Sequence, residues 1–188
     1  MKRILLHTCC GPCTIYPLKR LRDEGLVVHG FFYNPHIHPF QEFRRRVNTL
    51  QQLAQMEQMK LIVRSDYSLE DFFRAVAFRE QSRCIYCYSL RIEATARLAK
   101  KSRFDTFTTT LLFSKQQRHD LVRRIGEEAS HRFEIPFYYE DFREGWKIGQ
   151  ESALSLGLYR QQYCGCIYSE KDRFLKEQDQ SGYETDGP

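Results

Sequence analysis

Seven cysteines stand in three clusters along 188 residues: Cys9, Cys10 and Cys13, then Cys84 and Cys87, then Cys164 and Cys166. The thiolate is a nucleophile, a redox partner and a soft metal ligand, so clustered cysteines point to metal binding or thiol redox chemistry. An odd count in three groups fits poorly with the paired framework of a secreted disulfide scaffold. It fits better with a reducing cytoplasm.

The first cluster lies in His7-Thr8-Cys9-Cys10-Gly11-Pro12-Cys13. Adjacent residues of a strand face opposite ways, so Cys9 and Cys10 share one centre only where the chain leaves the strand, and Gly11-Pro12 supplies that turn. A strand-to-helix corner also aims backbone N–H groups at the site, which favours thiolates. One plain alternative is that these are small buried apolar side chains. Another is thioredoxin-like chemistry, since Cys10-Gly11-Pro12-Cys13 spells C-x-x-C and Ile135-Pro136 imitates the proline opposite such a site, but this leaves Cys9 and four further thiols without a role. Cys84-Ile85-Tyr86-Cys87 opens a predicted helix, where residues three apart share a face and both sulfurs reach one centre. With the first cluster it provides enough thiolates for zinc or for a cubane iron–sulfur cluster. Cys164-Gly165-Cys166 has a one-residue spacing unusual for structural zinc; it suits a strained disulfide that stores two electrons, or a clamp on a second metal.

Other residue types say less. His36 and His38 can face one way along an extended loop, although two loop histidines are more often solvated. Asp141 and Asp66 follow predicted strands and can reach the same edge, with surface ion pairs to Arg143 and Arg64 as the alternative. Basic patches occur at Arg44-Arg45-Arg46, at Lys100-Lys101 with Arg103, at Arg123-Arg124 and at Arg132. Aromatic residues near predicted loop and helix ends, Trp146 among them, add the stacking surfaces that an extruded RNA base needs. There is no G-x-G-x-x-G and no P-loop, so a dinucleotide or ATP reading has no motif.

These side chains need a frame. Apolar runs at 3–8, 27–33, 60–64, 106–112 and 135–139 read as strands, and helical periods fill 14–24, 39–57, 69–78, 89–101 and 119–130. Strand–helix alternation of this length predicts a doubly wound α/β fold with a parallel sheet. Two extra C-terminal helices, 148–156 and 167–178, bracket Cys164 and Cys166, and residues 179–188 are expected to fray. In such a sheet ligands collect beyond the carboxyl ends of the strands, where the strand order reverses. All three cysteine clusters follow strands, so they can converge there. With 41% apolar and 28% charged residues and no dividing linker, the chain reads as one domain, 1–188. A net charge of +5 permits a polyanionic partner without demanding one. No run reaches the roughly 18 apolar residues of a membrane span, and the start turns polar at His7, which argues against membrane insertion and secretion.

Four segments together resemble the cobalamin-independent epoxyqueuosine reductases of the QueH family: Leu5-Leu6-His7-Thr8-Cys9-Cys10-Gly11-Pro12-Cys13; Arg83-Cys84-Ile85-Tyr86-Cys87-Tyr88-Ser89-Leu90-Arg91; Tyr139-Glu140-Asp141-Phe142-Arg143; and Gly157 through Cys166. The resemblance implies a fold like the adenine nucleotide alpha hydrolases (a HUP-type, Rossmann-like fold), a [4Fe-4S] cluster, and the reduction of epoxyqueuosine to queuosine in tRNA with an external electron donor. It further implies that Cys9, Cys10, Cys84 and Cys87 hold the cluster. Cys164 and Cys166 would form a redox-active pair or help bind a second metal, iron or zinc, with Cys13 and Asp141 as further ligands and Asp141 as proton donor. Two rival classes remain at this level. A tRNA-thiolating enzyme of similar fold should carry an ATP loop, which is missing, and a zinc-stabilised RNA-binding module gives Cys164 and Cys166 no purpose.

Overall fold

The computed structural model describes residues 1–180, and its centre is the strand that ends at the first cysteine cluster. That strand, β1 (Arg3–His7), pairs in parallel with β2 (Val27–Tyr33) on one side and β4 (Thr106–Thr109) on the other, and β3 (Lys60–Arg64) extends the sheet beyond β2. The order β3-β2-β1-β4 reverses between β1 and β4. Ile4, Leu5 and Leu6 are fully buried, as expected of a strand covered on both faces.

Helices α1 (Gly11–Asp23) and α2 (Phe40–Met56) make the crossovers that step outward from β1. After α3 (Leu69–Val76), the long α4 (Arg83–Lys101) carries the chain back across the sheet to β4, packing on β1 and on α5 (His119–Phe133). Right-handed crossovers running in opposite directions put these two groups on opposite faces of the sheet, giving the doubly wound α/β fold that the alternation predicts. The tail adds α6 (Trp146–Ser155), packed on α1, and α7 (Ile167–Gln180). No helix among the described residues is long and apolar enough to cross a membrane.

Several boundaries differ from the sequence reading, for physical reasons. The predicted fifth strand, 135–139, reduces to a single parallel bridge between Phe107 and Phe137, because Pro136 has no N–H to continue the ladder backward and the Phe137 N–H bonds to the Ser130 hydroxyl instead. The fourth strand stops at Thr109, whose hydroxyl accepts from the Leu111 N–H and bends 110–112 into a 3₁₀ turn. Helix α4 begins six residues before the predicted 89, so Cys84 and Cys87 both lie within its first five residues. Helix α7 runs through Gln180, into the segment expected to fray, and the rest of that segment lies outside the described residues.

Helix α1 starts at Gly11, directly after Cys10. The Cys10 sulfur accepts from the Cys13 N–H at 3.4 Å as an N-cap, and Pro12 in the first turn forfeits no hydrogen bond. Gly11 lies against α2: a Cβ there would stand 2.8 Å from Thr49 Cγ2 and 3.1 Å from its carbonyl oxygen. Gly11→Ala should therefore force α1 and α2 apart and destabilise the fold by about 1–3 kcal/mol. Thermal melting should show this, with partial recovery when Thr49→Ser removes the nearer atom; an unchanged midpoint would mean that the helices are not in tight contact.

Candidate metal centre

Where β1 ends, extended backbone gives way to helix within three residues, and the turn gathers Cys9, Cys10 and Cys13. Their sulfurs lie within 4.8 Å of one another, with Cys9 and Cys10 Sγ 3.8 Å apart, and all three are buried. From the turn after β4 the Thr110 hydroxyl accepts from the Cys9 N–H at 3.1 Å and donates to Cys9 Sγ at 3.3 Å. Hydrogen bonds from Cys10, Cys13 and Thr110, aided by the charge of Arg46, hold the Cys9 thiol well below the usual cysteine range against its burial. Burial pushes Cys10 up, and hydrogen bonding to Cys10 and Cys9 pushes Cys13 up.

The other four cysteines line the wall of an adjoining cavity together with Asn34, His36 and Arg91. Cys84 and Cys87 come from the first five residues of α4, and Cys164 and Cys166 come from the turn before α7. Gly165 between them has φ +150°, a conformation that favours glycine, and its carbonyl accepts from the His38 N–H at 2.7 Å. Cys164 belongs to both spaces, since it also lines a cleft with Cys9 and Cys13. Burial pushes the Cys87 thiol up to about 12 and raises Cys164 as well.

Arg91 joins the two groups. It stands one helical turn after Cys87 and is 4% exposed, and it donates to Cys87 Sγ at 2.8 Å, to the Cys87 carbonyl at 3.1 Å and to Asn34 Oδ1 at 3.2 Å. The Asn34 amide in turn donates to the Thr8 carbonyl at 2.9 Å, so a continuous hydrogen-bonded path runs from the β1 turn through the end of β2 to α4. Among the described residues Arg91 forms no salt bridge. Burial alone would weaken its charge, yet Cys87, Cys164 and Cys9 raise its proton affinity when ionised, so sulfur supplies its counter-charge only where these thiols are deprotonated. An isolated buried cation is costly, and an anionic iron–sulfide or thiolate–metal group would neutralise it. The donor set, four thiols lining a cavity with a guanidinium that forms no salt bridge among the described residues and three more at the adjoining β1 turn, fits such a group.

His7 braces the same corner. Fully buried and held neutral by desolvation, with its pKa lowered to about 4, it takes the Thr109 hydroxyl on Nδ1 at 2.8 Å and faces the Tyr33 carbonyl with Nε2 at 3.2 Å. These bonds tie the ends of β4 and β2 to β1, where both cavities open.

Other candidates fall elsewhere. Asp141 caps a 3₁₀ turn and pairs with Arg143 at 2.5 Å, lining neither cysteine cavity. That pairing holds its carboxyl down to about 2, so at neutral pH it has no proton to donate. Asp66 pairs with Arg64 at the surface. His36 and His38 are buried rather than solvated, because Phe72 of α3 packs against both rings. Arg46 leaves the basic patch: one turn after Glu42, it is 1% exposed, pairs with that carboxylate at 2.7 Å and donates to the carbonyls of Tyr163 and Cys164. Arg44 and Arg45 stay exposed. The sequence reading assigned no role to Asn34, Arg91, Gln117 or Gln161. The four-residue spacings Cys87–Arg91 and Glu42–Arg46 carried a signal for the arginines, since such pairs share a helix face.

The Asn34–Arg91 bond should couple the two cysteine segments even without metal. A double-mutant cycle with Asn34→Ala and Arg91→Lys, read by denaturant unfolding of the reduced metal-free protein, should give an interaction energy of about 1–3 kcal/mol. Additive effects of the two substitutions would break the proposed path.

Comparison with known proteins identifies the family of the chain. The family model described as epoxyqueuosine reductase QueH matches residues 4–172. An epoxyqueuosine reductase QueH of Dehalococcoides mccartyi is 34% identical over 174 residues, covering 93% of this chain and 96% of that protein. The Thermotoga maritima protein of the same name is 32% identical, with 92% and 93% covered. Among solved structures, a predicted subunit of tRNA methyltransferase from Methanocaldococcus jannaschii superposes with a TM-score of 0.60 over 95% of this chain and 89% of that one, at 12% identity, which shows a shared fold. The cysteine-lined corner of this α/β sheet thus lies in an oxidoreductase, and the chain belongs to the epoxyqueuosine reductase QueH family.

Proposed function

We propose that the protein reduces epoxyqueuosine to queuosine within tRNA, using a [4Fe-4S] cluster held by Cys9, Cys10, Cys84 and Cys87, with Cys164 and Cys166 as a redox-active pair or as ligands of a second metal. The observation that carries this reading is the meeting of all three cysteine clusters in two adjoining spaces, with Cys164 in both and Arg91, without a salt bridge among the described residues, in the wall of one. When bound, the cluster supplies one-electron chemistry at low potential.

The chain's own groups suit the reaction. Converting the epoxide to an alkene removes one oxygen as water and consumes two electrons and two protons. Oxidation of the Cys164 and Cys166 dithiol to a disulfide releases the same two electrons and two protons, so the step balances, and an external reductant must then restore the dithiol. Gln117 donates to Cys164 Sγ at 3.1 Å and orients that sulfur. Exposed Arg44 and Arg45 give α2 a positive surface for the tRNA backbone, and a cytoplasmic location suits both the substrate and reduced thiols. Asp141, ion-paired and outside both cavities, is left out of the proton path.

A second reading has its own support: the sulfur of Cys13 lies with those of Cys9 and Cys10, so the triad could hold a metal ion without α4. Serine variants separate the two. On anaerobically reconstituted protein, Cys9, Cys10, Cys84 and Cys87→Ser should each lower bound iron and sulfide and the broad absorption near ~400 nm. Loss in Cys13→Ser together with full retention in Cys84→Ser and Cys87→Ser would favour the triad.

Cys164→Ser and Cys166→Ser should keep iron, melting temperature and tRNA affinity near wild type while abolishing turnover of epoxyqueuosine-containing tRNA, followed by mass analysis of its nucleosides. Retained turnover in both variants would remove the pair from the reaction.

A further inference from the structure

The cleft that opens over Cys9, Cys13 and Cys164, about 190 Å³ in volume, has an unusual wall. Its polar side chains are mostly carboxamides, from Gln116, Gln117, Gln150 and Gln161, and among the described residues no carboxylate lines it. Its single cation, Lys115, holds its ammonium 4.8 Å above the ring of Trp146, the chain's one tryptophan, which is partly exposed to the cleft. Two of the carboxamides face sulfur: Gln117 donates to Cys164 and Gln161 donates to Cys13 at 3.0 Å. The Gln161 carbonyl oxygen is buried and accepts no hydrogen bond among the described residues. Gln116, Gln150 and Gln161 also line an open groove that continues past Tyr159 and Arg160.

We infer that this cleft seats the modified nucleobase, stacked on Trp146 and recognised by the glutamine carboxamides, with the groove beyond it carrying the adjoining nucleotides; this rests on the proposed function and names the site's substrate contact. Neutral donors and acceptors beside a flat aromatic ring suit an uncharged heteroaromatic edge better than a phosphate. The substrate is a 7-deazaguanine, whose lactam face is itself a cis-amide, and a carboxamide pairs with it through two antiparallel hydrogen bonds. A lactam or amino N–H would satisfy the orphaned Gln161 oxygen. Trp146 supplies the stacking surface that RNA-binding sites use for unstacked bases. Seated there, the base would hold its 7-substituent, which carries the epoxide, beside the cysteine sulfurs.

Having a single tryptophan makes the test direct. A 7-deazaguanine nucleoside bearing an aminomethyl group, titrated into the reduced protein, should change Trp146 emission saturably, and equal concentrations of inorganic phosphate should leave it unchanged. Gln150→Leu should weaken that binding and raise KM by about tenfold or more, the loss of a paired edge, with iron content and melting temperature unaltered. Three results would overturn the inference. Emission that phosphate changes in the same way would make the cleft an anion seat. No response to the nucleoside from an enzyme that still reduces its tRNA would place the base elsewhere while leaving the proposed function standing. No response together with no turnover by cluster-loaded enzyme would remove both.

Discussion

Arg91 is the interaction on which the site depends. A guanidinium buried among thiols, without a salt bridge among the described residues, is tolerable only where sulfur carries negative charge beside it. It also binds the two halves of the centre mechanically, since one of its nitrogens reaches Asn34 at the end of β2 and the others reach Cys87 on α4. The same residue therefore sets the electrostatics of the cysteine cavity and the position of one of its walls.

The fold provides the place for this. With the strand order reversing between β1 and β4, the carboxyl ends of the strands leave a crevice that no crossover helix fills. The turn after β1 enters it with Cys9 and Cys10, Thr110 follows β4 into it, and α4 returns across the sheet so that its first five residues deliver Cys84 and Cys87. The C-terminal segment closes the site: the backbone of Tyr163 and Cys164 is held by buried Arg46, and the Tyr163 hydroxyl donates to the His38 carbonyl. Segments more than a hundred residues apart in sequence thereby share one pair of cavities.

Much of this was legible from residue types and spacing. Strand-length apolar runs alternating with helical periods specify a parallel α/β sheet, and Cys9-Cys10-Gly11-Pro12-Cys13 needs a strand-to-helix corner wherever it occurs. What escaped the sequence depended on tertiary cover. His36 and His38 sit in a loop whose polarity suggests exposure, and only the packing of α3 over them makes them buried. Arg46 looks like one of three equivalent arginines until helix α2 turns it inward onto Glu42. Asp141 was legible either way, as a carboxylate beyond a predicted strand or as a surface partner of Arg143, and the pair with Arg143 is the one formed. The fifth strand failed for a local reason, the missing N–H of Pro136, which the sequence did contain.

The central claim is that an anionic iron–sulfur group completes the thiol set around Arg91. Crystals of the anaerobically reconstituted protein, measured across the iron and zinc absorption edges, test it most directly. Strong anomalous density is expected at the iron edge, bonded to Cys9, Cys10, Cys84 and Cys87, with the Arg91 guanidinium within hydrogen-bonding reach of the group. Zinc-edge density in its place, or iron confined to Cys9, Cys10 and Cys13 with Arg91 still bound to a free Cys87 thiol, would contradict it.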